Sequence, residues 1–241
     1  MAPKITLYQF AGTDKLDSIS PFCVKAHRML RRKGLAYEVK NLLTPGAIRK
    51  VNPIGKLPAI DYDGQLLADS AHIARFLDEK HPDPPFFPKE EVPRARNTLL
   101  EDWADESLYF KVVYFRWMPA ENVPRAKQVF RDALQLKFPL SAIVGLIFPR
   151  QIRAFVVNQG TGRKPYEMVA KELAEEMDAL DVLCAGGPFL LGNEPYLADI
   201  AIYAQLEAMT FGATPDAERI ILDRPRLSAW LKRVDEATRG R

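Results

Sequence analysis

The sequence is poor in the residues that bind metals or form disulfides. Its 241 residues include two cysteines, Cys23 and Cys184, and three histidines, His27, His72 and His81. The two cysteines lie far apart, form no CxxC pair and do not cluster with the histidines along the chain. This pattern argues against a disulfide framework and against a zinc site, so we expect no bound metal.

An excess of one charge is also missing. Lysine and arginine number 34 and aspartate and glutamate 31, which leaves a formal net charge of +3. This balance, with no motif of interleaved basic and aromatic residues, argues against a nucleic-acid partner. A small anionic ligand needs only a local basic pocket, which the net charge does not reveal.

Long hydrophobic runs are absent too. The longest one, residues 138–148, is interrupted by Pro139 and Ser141 and is too short to span a bilayer. The first ten residues lack the apolar core and the cleavage site of a secretory signal. We therefore expect a reduced, cytoplasmic protein with no transmembrane segment.

The N-terminal part of the chain alternates between strand and helix patterns. Residues 5–10 are β-branched and aromatic, which is typical of a strand. Ser20 and Pro21 are a favoured start for a helix, and Gly34 a favoured end. Residues 37–39 form a second short strand pattern. This order predicts a parallel βαβ unit.

The next pattern is a hairpin followed by a helix. Asp63 and Gly64 separate two apolar runs, at residues 57–62 and 65–67, and such a dipeptide is a strong hairpin signal. A helix pattern begins at residues 69–70. Residues 1–81 therefore read as a thioredoxin-like βαβ-ββα domain, with only a connector expected between its two halves.

The second part of the chain reads as helical throughout. Four prolines within residues 81–88 indicate a linker, which we place at 82–92. An all-helical domain is then predicted for residues 93–241. Its helices are expected at residues 90–118, 122–138, 165–184, 195–211 and 225–237. Breaks are expected at Pro119, Pro149, Gly186-Gly187 and Pro215.

Three ordered motifs resemble those of the glutathione transferase superfamily, and the resemblance extends over nearly the whole chain. They are Ser-Pro-Phe-Cys at residues 20–23, Asn-Pro-Ile-Gly-Lys-Leu-Pro at 52–58 and Asp-Ser at 69–70. The resemblance implies an α+β fold, with a thioredoxin-like N-terminal domain followed by an all-α helical-bundle domain. It further implies a homodimer that uses glutathione as co-substrate and a hydrophobic small-molecule electrophile as acceptor, with no metal.

The resemblance also assigns glutathione-binding residues. In the family, the peptide bond before the proline matching Pro58 is cis and turns the backbone of the preceding residue, here Leu57, towards the tripeptide. Ser70 and the first amides of its helix suit the γ-glutamyl carboxylate. Asp69 either faces the ammonium group or only caps the helix. Lys56 either meets the glycyl carboxylate or is a solvated loop lysine.

Two residues are candidates for activating the thiol. Ser20 matches the active serine or cysteine of several classes, whereas Tyr8 lies where other classes have a catalytic tyrosine. A free thiol has a pKa near 8.5, and lowering it by about two units takes roughly 2.7 kcal/mol of thiolate stabilisation. We rank Ser20 above Tyr8. Cys23 is expected to be a buried, inert thiol.

Two further segments bear on the branch of the family. The long loop at residues 11–19 and the Asn-Gln-Gly-Thr-Gly-Arg run at 158–163 resemble the metaxin and failed-axon-connections branch. The leading hypothesis is an enzyme that conjugates the glutathione thiolate to hydrophobic electrophiles in a pocket between the domains. The alternatives are a non-catalytic binding module on the same fold, or a glutathione-dependent peroxidase or isomerase.

Two features of the helical part are predicted to be structural. Asp199 is expected to accept a hydrogen bond from an N–H of the first turn of its helix. The apolar segment 138–157 is predicted to form a buried helix pair in preference to a helix lying on a membrane surface.

Overall fold

The computed structural model describes residues 2–136 and 140–240. The strands are β1 (Ile5–Gln9), β2 (Glu38–Asn41), β3 (Ala59–Tyr62) and β4 (Gln65–Ala68). The helices of the N-terminal part are α1 (Pro21–Arg32), α2 (Pro45–Val51) and α3 (Ser70–Lys80). Those that follow are α4 (Glu91–Trp103), α5 (Tyr109–Trp117), α6 (Val123–Leu134), α7 (Leu140–Gln159), α8 (Tyr166–Leu183), α9 (Leu197–Glu207), α10 (Pro215–Leu222) and α11 (Pro225–Thr238).

The four strands form one mixed sheet in the order β2-β1-β3-β4. β1 runs parallel to β2 and antiparallel to β3, and β3 and β4 form a hairpin. Asp63 and Gly64 both have positive φ, 52° and 89°, as a two-residue type I′ turn requires. α1 and α3 pack their apolar side chains against Leu7 and Ile60 of this sheet. The predicted thioredoxin-like βαβ-ββα arrangement, followed by a helical domain, is confirmed.

The connector between β2 and β3 contains a helix that the sequence analysis missed. Thr44 precedes α2, and its hydroxyl accepts a hydrogen bond from the amide of Ala47 at 3.3 Å. Pro45 occupies the first helical position, where its missing N–H costs nothing. The helix buries only Ile48, so it has no apolar stripe that periodicity could detect.

Two prolines of the helical part do not have the predicted role. Pro149 lies inside α7 rather than between helices, and the carbonyl of Gly145 simply loses one helical donor there. Pro215 begins a helix instead of interrupting one, because proline is favoured at the first helical position. The predicted helix at 122–138 is α6, and residues 137–139 lie outside the described residues.

The expectation of a buried helix pair at residues 138–157 is wrong for the part whose side chains are described. Leu146, Ile147 and Phe155 of α7 are exposed, whereas Pro149 and Val156 are buried. One side of α7 therefore packs on the protein and the other side faces solvent. Among the described helices, none is both long enough and apolar enough to cross a membrane.

The proline-rich segment between α3 and α4 forms neither helix nor strand and is held against the N-terminal domain. Phe86 is fully buried in the core formed by the sheet, α1 and α3. The ammonium group of Lys33, at the end of α1, donates to the carbonyl of Pro84 at 2.6 Å. The domain boundaries at residues 81/82 and 92/93 stay a prediction.

Buried ion pairs join α1 to the helical domain. Lys25 is 1% exposed, and its ammonium group lies 2.6 Å from a carboxylate oxygen of Glu101 and 2.7 Å from one of Asp105. One turn further, Arg28 contacts the carboxylate of Asp235 at 2.6 Å. Removing one partner of such a pair leaves an uncompensated buried charge and costs about 3–5 kcal/mol.

The buried carboxylate of Asp199 joins several segments within the helical domain by hydrogen bonds. One of its carboxylate oxygens accepts a hydrogen bond from the Tyr196 amide at 3.1 Å. The other accepts from the Leu190 amide and from the indole N–H of Trp230, both at 3.0 Å. The Tyr196 amide precedes the helix, whereas the amide of Asp199 itself lies in the first turn and also hydrogen-bonds the carboxyl group, in agreement with the predicted bond and with a structural role. Burial raises the pKa of Asp199 to about 6.

Both cysteine thiols are buried. Cys23 is completely inaccessible and Cys184 is 5% exposed. Burial raises the pKa of Cys23 to about 11, against the opposing influence of the Phe10 backbone and the Ser20 hydroxyl. Burial also raises the pKa of Cys184 to about 12. Both thiols are therefore protonated at neutral pH, which agrees with the expectation of an inert Cys23.

We predict that Asp199→Ala lowers the free energy of unfolding by about 3–5 kcal/mol, because three buried donors lose their acceptor. Urea unfolding followed by circular dichroism measures the change. The matched control is Asp178→Ala, which removes an exposed carboxylate paired with Arg224 and should cost less than about 1 kcal/mol. Equal effects of the two substitutions would contradict the assignment.

We also predict that neither thiol reacts with an aromatic disulfide reagent at pH 8 in the folded protein, because both are buried and protonated. Two thiols per chain should react after unfolding in guanidinium chloride, since the sequence contains two cysteines. Rapid titration of one thiol in the folded protein would show that one of these cysteines is accessible.

Candidate functional site

Ser20 lies at the start of α1, in the wall of an apolar cavity. Its backbone is extended, as is usual for a residue preceding a helix, yet its hydroxyl does not cap the first-turn amides. The backbone amide of Ser20 donates a hydrogen bond to the hydroxyl of Ser18 at 3.2 Å. Ser20 thus places a hydroxyl next to the N-terminus of α1, and this hydroxyl does not cap the helix.

The Leu57–Pro58 peptide bond is cis, as the sequence analysis expected. Asn52 is buried and organises the loop before it, donating to the Lys56 carbonyl at 2.8 Å and accepting from the Ile54 amide at 3.1 Å. The Leu57 side chain is buried, but no hydrogen bond within the described residues uses its backbone N–H or C=O. Leu57 therefore offers an open backbone edge just before β3.

Lys56, next to this edge, is exposed and forms no ion pair with any described carboxylate. Its carbonyl is taken by Asn52, whereas its ammonium group is left to solvent. This arrangement is compatible with either of the two interpretations of Lys56, so its role in binding a carboxylate stays a prediction.

Asp69 and Ser70 begin α3. The Asp69 carboxylate accepts hydrogen bonds from the amides of Ala71 at 2.9 Å and His72 at 3.2 Å, so it does cap the helix. Its backbone has φ 75°, an uncommon conformation for a residue other than glycine. Ser70 is 5% exposed and makes no side-chain hydrogen bond within the described chain. The helix N-terminus and this hydroxyl together suit an anion.

Tyr8, the second activator candidate, lies in β1 opposite Ala59 of β3. Its ring packs against a small apolar cluster that includes Cys23 and Leu57. The Lys40 ammonium group lies 5.9 Å from the ring centroid. Tyr8 does not contribute to the wall of the apolar cavity, whereas Ser20 does.

The apolar cavity lies between the start of α1, the start of α2 and helices α5, α6 and α7. Its volume is about 560 Å³, which is in the range of small-molecule sites. The described residues that line it are Phe10, Ile19, Ser20, Pro21, Leu43, Thr44, Pro45, Tyr109, Val113, Arg116, Trp117, Phe130, Leu134, Val144, Ile147, Phe148, Gln151 and Ile152. They include Ile19 from the loop before Ser20 and the aromatic residues Tyr109 and Trp117 of α5.

A buried acidic network adjoins the start of α3, and the sequence analysis did not find it. One carboxylate oxygen of Asp105 contacts Lys25, while the other is buried and has no partner in the described chain. Burial raises the pKa of Asp105 to about 6; Lys25 opposes this effect, and Glu101 and Asp69 add to it. Asp69 therefore lies close enough for its charge to act on Asp105. The sequence signal that could have revealed this network is Lys25, a lysine among the buried apolar residues of α1.

Arg116 is a second residue of the candidate site that the sequence analysis missed. It is 5% exposed and lies in the cavity wall. One terminal nitrogen donates to the Ile19 carbonyl at 3.0 Å, and the other donates to the Ala208 carbonyl at 2.8 Å. No described carboxylate forms an ion pair with it, and burial lowers its pKa to about 10. The sequence could not reveal this role, because an arginine within an aromatic helical segment forms no recognisable local motif.

Both ring nitrogens of His27 form hydrogen bonds with uncharged side chains. Its ring nitrogens lie 2.6 Å from the Tyr37 hydroxyl and 2.7 Å from the side-chain carbonyl of Gln9. Burial lowers its pKa to about 4, so the ring is neutral at physiological pH. In the described part of the chain, no three His, Cys, Asp or Glu side chains are grouped as a metal site requires.

Comparison with known proteins agrees with this architecture. The family model of the glutathione S-transferase N-terminal domain matches residues 21–122, and that of the C-terminal domain matches residues 163–233. Failed axon connections of Drosophila melanogaster is 29% identical over 216 residues, which are 86% of this chain and 50% of that protein. The chain therefore spans half the length of this relative.

Two further comparisons bear on family and fold. The structure of rice GST1 in complex with glutathione aligns with a TM-score of 0.65 at 18% identity, over 99% of this chain and 90% of that one. Glutathione S-transferase Z2 of Arabidopsis thaliana is 38% identical over 192 residues, which are 76% of this chain and 71% of that protein. By both domain matches and by this relative, the chain belongs to the glutathione S-transferase family.

Proposed function

We propose that the protein binds glutathione and conjugates its thiolate to hydrophobic electrophiles. The observation that carries the proposal is the unused backbone edge of Leu57, on the same domain as the start of α3 and the Ser20 hydroxyl. An extended tripeptide needs such an edge for its backbone and an anion site for its γ-glutamyl carboxylate. The adjoining apolar cavity provides space for the second substrate.

In this proposal the tripeptide backbone pairs with Leu57, and its γ-glutamyl carboxylate meets the hydroxyl and the amide of Ser70. The next two amides of α3 already donate to Asp69. The ammonium group faces the Asp69 carboxylate, which also caps α3. The Asp105 carboxyl group lies close enough to Asp69 for the two to interact, and it adds a second acidic group to this region. Lys56 is then free to meet the glycyl carboxylate. Pro58 supports this arrangement by shaping the loop before β3.

The thiol of the bound peptide is activated by Ser20. Its hydroxyl and the Phe22 amide, which has no acceptor among the described residues at the start of α1, stabilise a thiolate. The Arg116 guanidinium donates to the carbonyl of Ile19, the residue immediately before Ser20. The thiol proton leaves to solvent, and the sulfur attacks an electrophilic carbon of the acceptor. A sulfur–carbon bond forms, and the bond from that carbon to its leaving group breaks with the electron pair.

Homodimerisation and a cytoplasmic location are parts of the proposal that rest on the family resemblance. β4 is an edge strand with an exposed Leu66, and α4 exposes Val92 and Leu99. A second copy would cover apolar surface of this kind.

We predict that Ser20→Ala lowers kcat/KM for conjugation of a neutral benzylic halide by about 100-fold while glutathione binding is retained, because one preorganised donor to the developing thiolate is lost. In the same variant the rise of the rate with pH should shift to higher pH, because the pKa of the bound thiol returns towards 8.5. Tyr8→Phe should change kcat/KM by less than about threefold. Steady-state kinetics between pH 6 and 9 and calorimetric titration with glutathione measure these effects.

The matched control is Tyr166→Phe, which removes a phenolic hydroxyl bonded to Asp216 outside the cavity wall. If Tyr8→Phe alone lost activity with binding retained, the assignment of Ser20 would be wrong. Binding without conjugation, and without peroxide reduction or isomerase activity, would identify a binding module. No binding at millimolar glutathione would end the proposal.

A further inference from the structure

Arg116 carries a buried positive charge for which the described chain supplies no counter-ion. The other buried lysines and arginines of the described chain each contact at least one carboxylate within 3 Å; they are Lys25, Arg28, Lys33 and Lys111. Arg116 is as buried as they are, yet it has no such contact. A buried charge without a partner is costly and is uncommon in the interior of a protein.

The neutral contacts of Arg116 account for only part of its hydrogen-bonding capacity. A guanidinium has five N–H donors, and two of them reach the carbonyls of Ile19 and Ala208. The guanidinium carbon lies 5.4 Å from the centroid of the Phe211 ring. The Nε atom is buried and has no acceptor among the described residues. These contacts fix the position of the side chain but leave its charge uncompensated.

The surroundings of Arg116 on the cavity side are apolar or neutral. No described lining residue is acidic, and the polar ones, Ser20, Thr44, Tyr109 and Gln151, are uncharged. Tyr109 is the titratable group whose charge would act on Arg116, and burial raises the pKa of its hydroxyl, so it stays neutral. A carboxylate that enters the cavity would therefore meet one cation and no competing anion. The cation is already desolvated, which reduces the cost of forming the pair.

We propose that Arg116 makes the cavity selective for electrophiles that combine an apolar body with a carboxylate. The inference rests on the proposed function, since it names the class of acceptor for that reaction. The apolar body contacts the aromatic wall, and the carboxylate pairs with the guanidinium. Because Arg116 is bonded to the carbonyl that precedes Ser20, this pairing holds the electrophilic carbon on the side of the cavity where the thiolate lies.

The carboxylate takes no part in bond making. With 4-(chloromethyl)benzoate as acceptor, the glutathione sulfur forms a bond to the benzylic carbon while the carbon–chlorine bond breaks and chloride leaves with the electron pair. The thiol proton goes to solvent. The product is a thioether that keeps the carboxylate and its contact with Arg116.

The test compares 4-(chloromethyl)benzoate with the uncharged 4-(chloromethyl)benzamide in the full-length protein. For the wild type we expect a higher kcat/KM with the carboxylate. Arg116→Met should lower kcat/KM for the carboxylate about 30-fold more than for the amide, as expected for the loss of a hydrogen-bonded charge pair. Arg116→Lys, which keeps the charge, should retain part of the preference. A purely structural role would lower both rates equally.

Arg153→Met is the matched control. Arg153 also donates to a carbonyl beside the cavity, that of Trp117 at 2.6 Å, but its side chain does not line the wall. This control should leave the carboxylate-to-amide ratio unchanged. An equal fall of the ratio in Arg153→Met and Arg116→Met would overturn the inference.

A binding measurement separates this inference from the proposed function and does not require Arg116→Met to fold. Calorimetry on the wild type should show tighter binding of 4-methylbenzoate than of 4-methylbenzamide. If the benzamide substrate is conjugated but the wild type shows no preference for carboxylates in binding or in rate, the inference fails and the proposed function stands. If neither substrate is conjugated while 4-methylbenzoate still binds more tightly, the proposed function fails and the anion selectivity of the cavity stands.

Discussion

The ion pairs that α1 forms across the protein are the interaction on which the geometry of the site depends. α1 belongs to the thioredoxin-like domain, yet Lys25 and Arg28 are neutralised by carboxylates of the helical domain. The same helix begins at Ser20, which lies in the cavity wall opposite residues of α5, α6 and α7. The two ion-paired side chains therefore fix α1, with Ser20 at its start, against the domain that also supplies the far wall of the cavity.

The charges around the site separate by sign. On the side of α3, Glu101 and Asp69 lie close enough to Asp105 for their charges to act on it, as does Lys25. One oxygen of Asp105 has no partner among the described residues. On the cavity side, Arg116 is a cation without a described carboxylate. The first region suits the ammonium group of a γ-glutamyl residue, and the second suits developing or permanent negative charge. This separation gives a ligand two chemically different ends to recognise.

Most of the correct fold prediction rested on short sequence motifs. The Asp63-Gly64 turn, the Ser20-Pro21 helix start and the Asp69 cap each depend on a few adjacent residues, so the sequence alone could reveal them. α2 escaped detection because a seven-residue helix that buries only Ile48 has no periodic apolar face. α7 was misread because its apolar residues, which include the exposed Leu146 and Ile147, suggested burial.

The residues that the sequence did not reveal are those whose partners lie far away in the chain. Lys25 pairs with Glu101, 76 positions on, and Arg116 bonds to Ile19, 97 positions before it. No spacing rule connects such residues, because the contact exists only after two domains have packed together. The motifs that the family resemblance supplied, at Leu57-Pro58 and Asp69-Ser70, mark where the peptide is expected but not what surrounds it.

The central claim is that glutathione lies along the Leu57 edge with one end at the start of α3. Amide chemical shifts of the isotopically labelled protein during a glutathione titration test it most directly. We expect saturable shifts of the Leu57 and Ser70 amides, with no shift of the Val234 amide in α11. Saturable binding that leaves the Leu57 and Ser70 amides unchanged would place the tripeptide elsewhere and refute this binding mode.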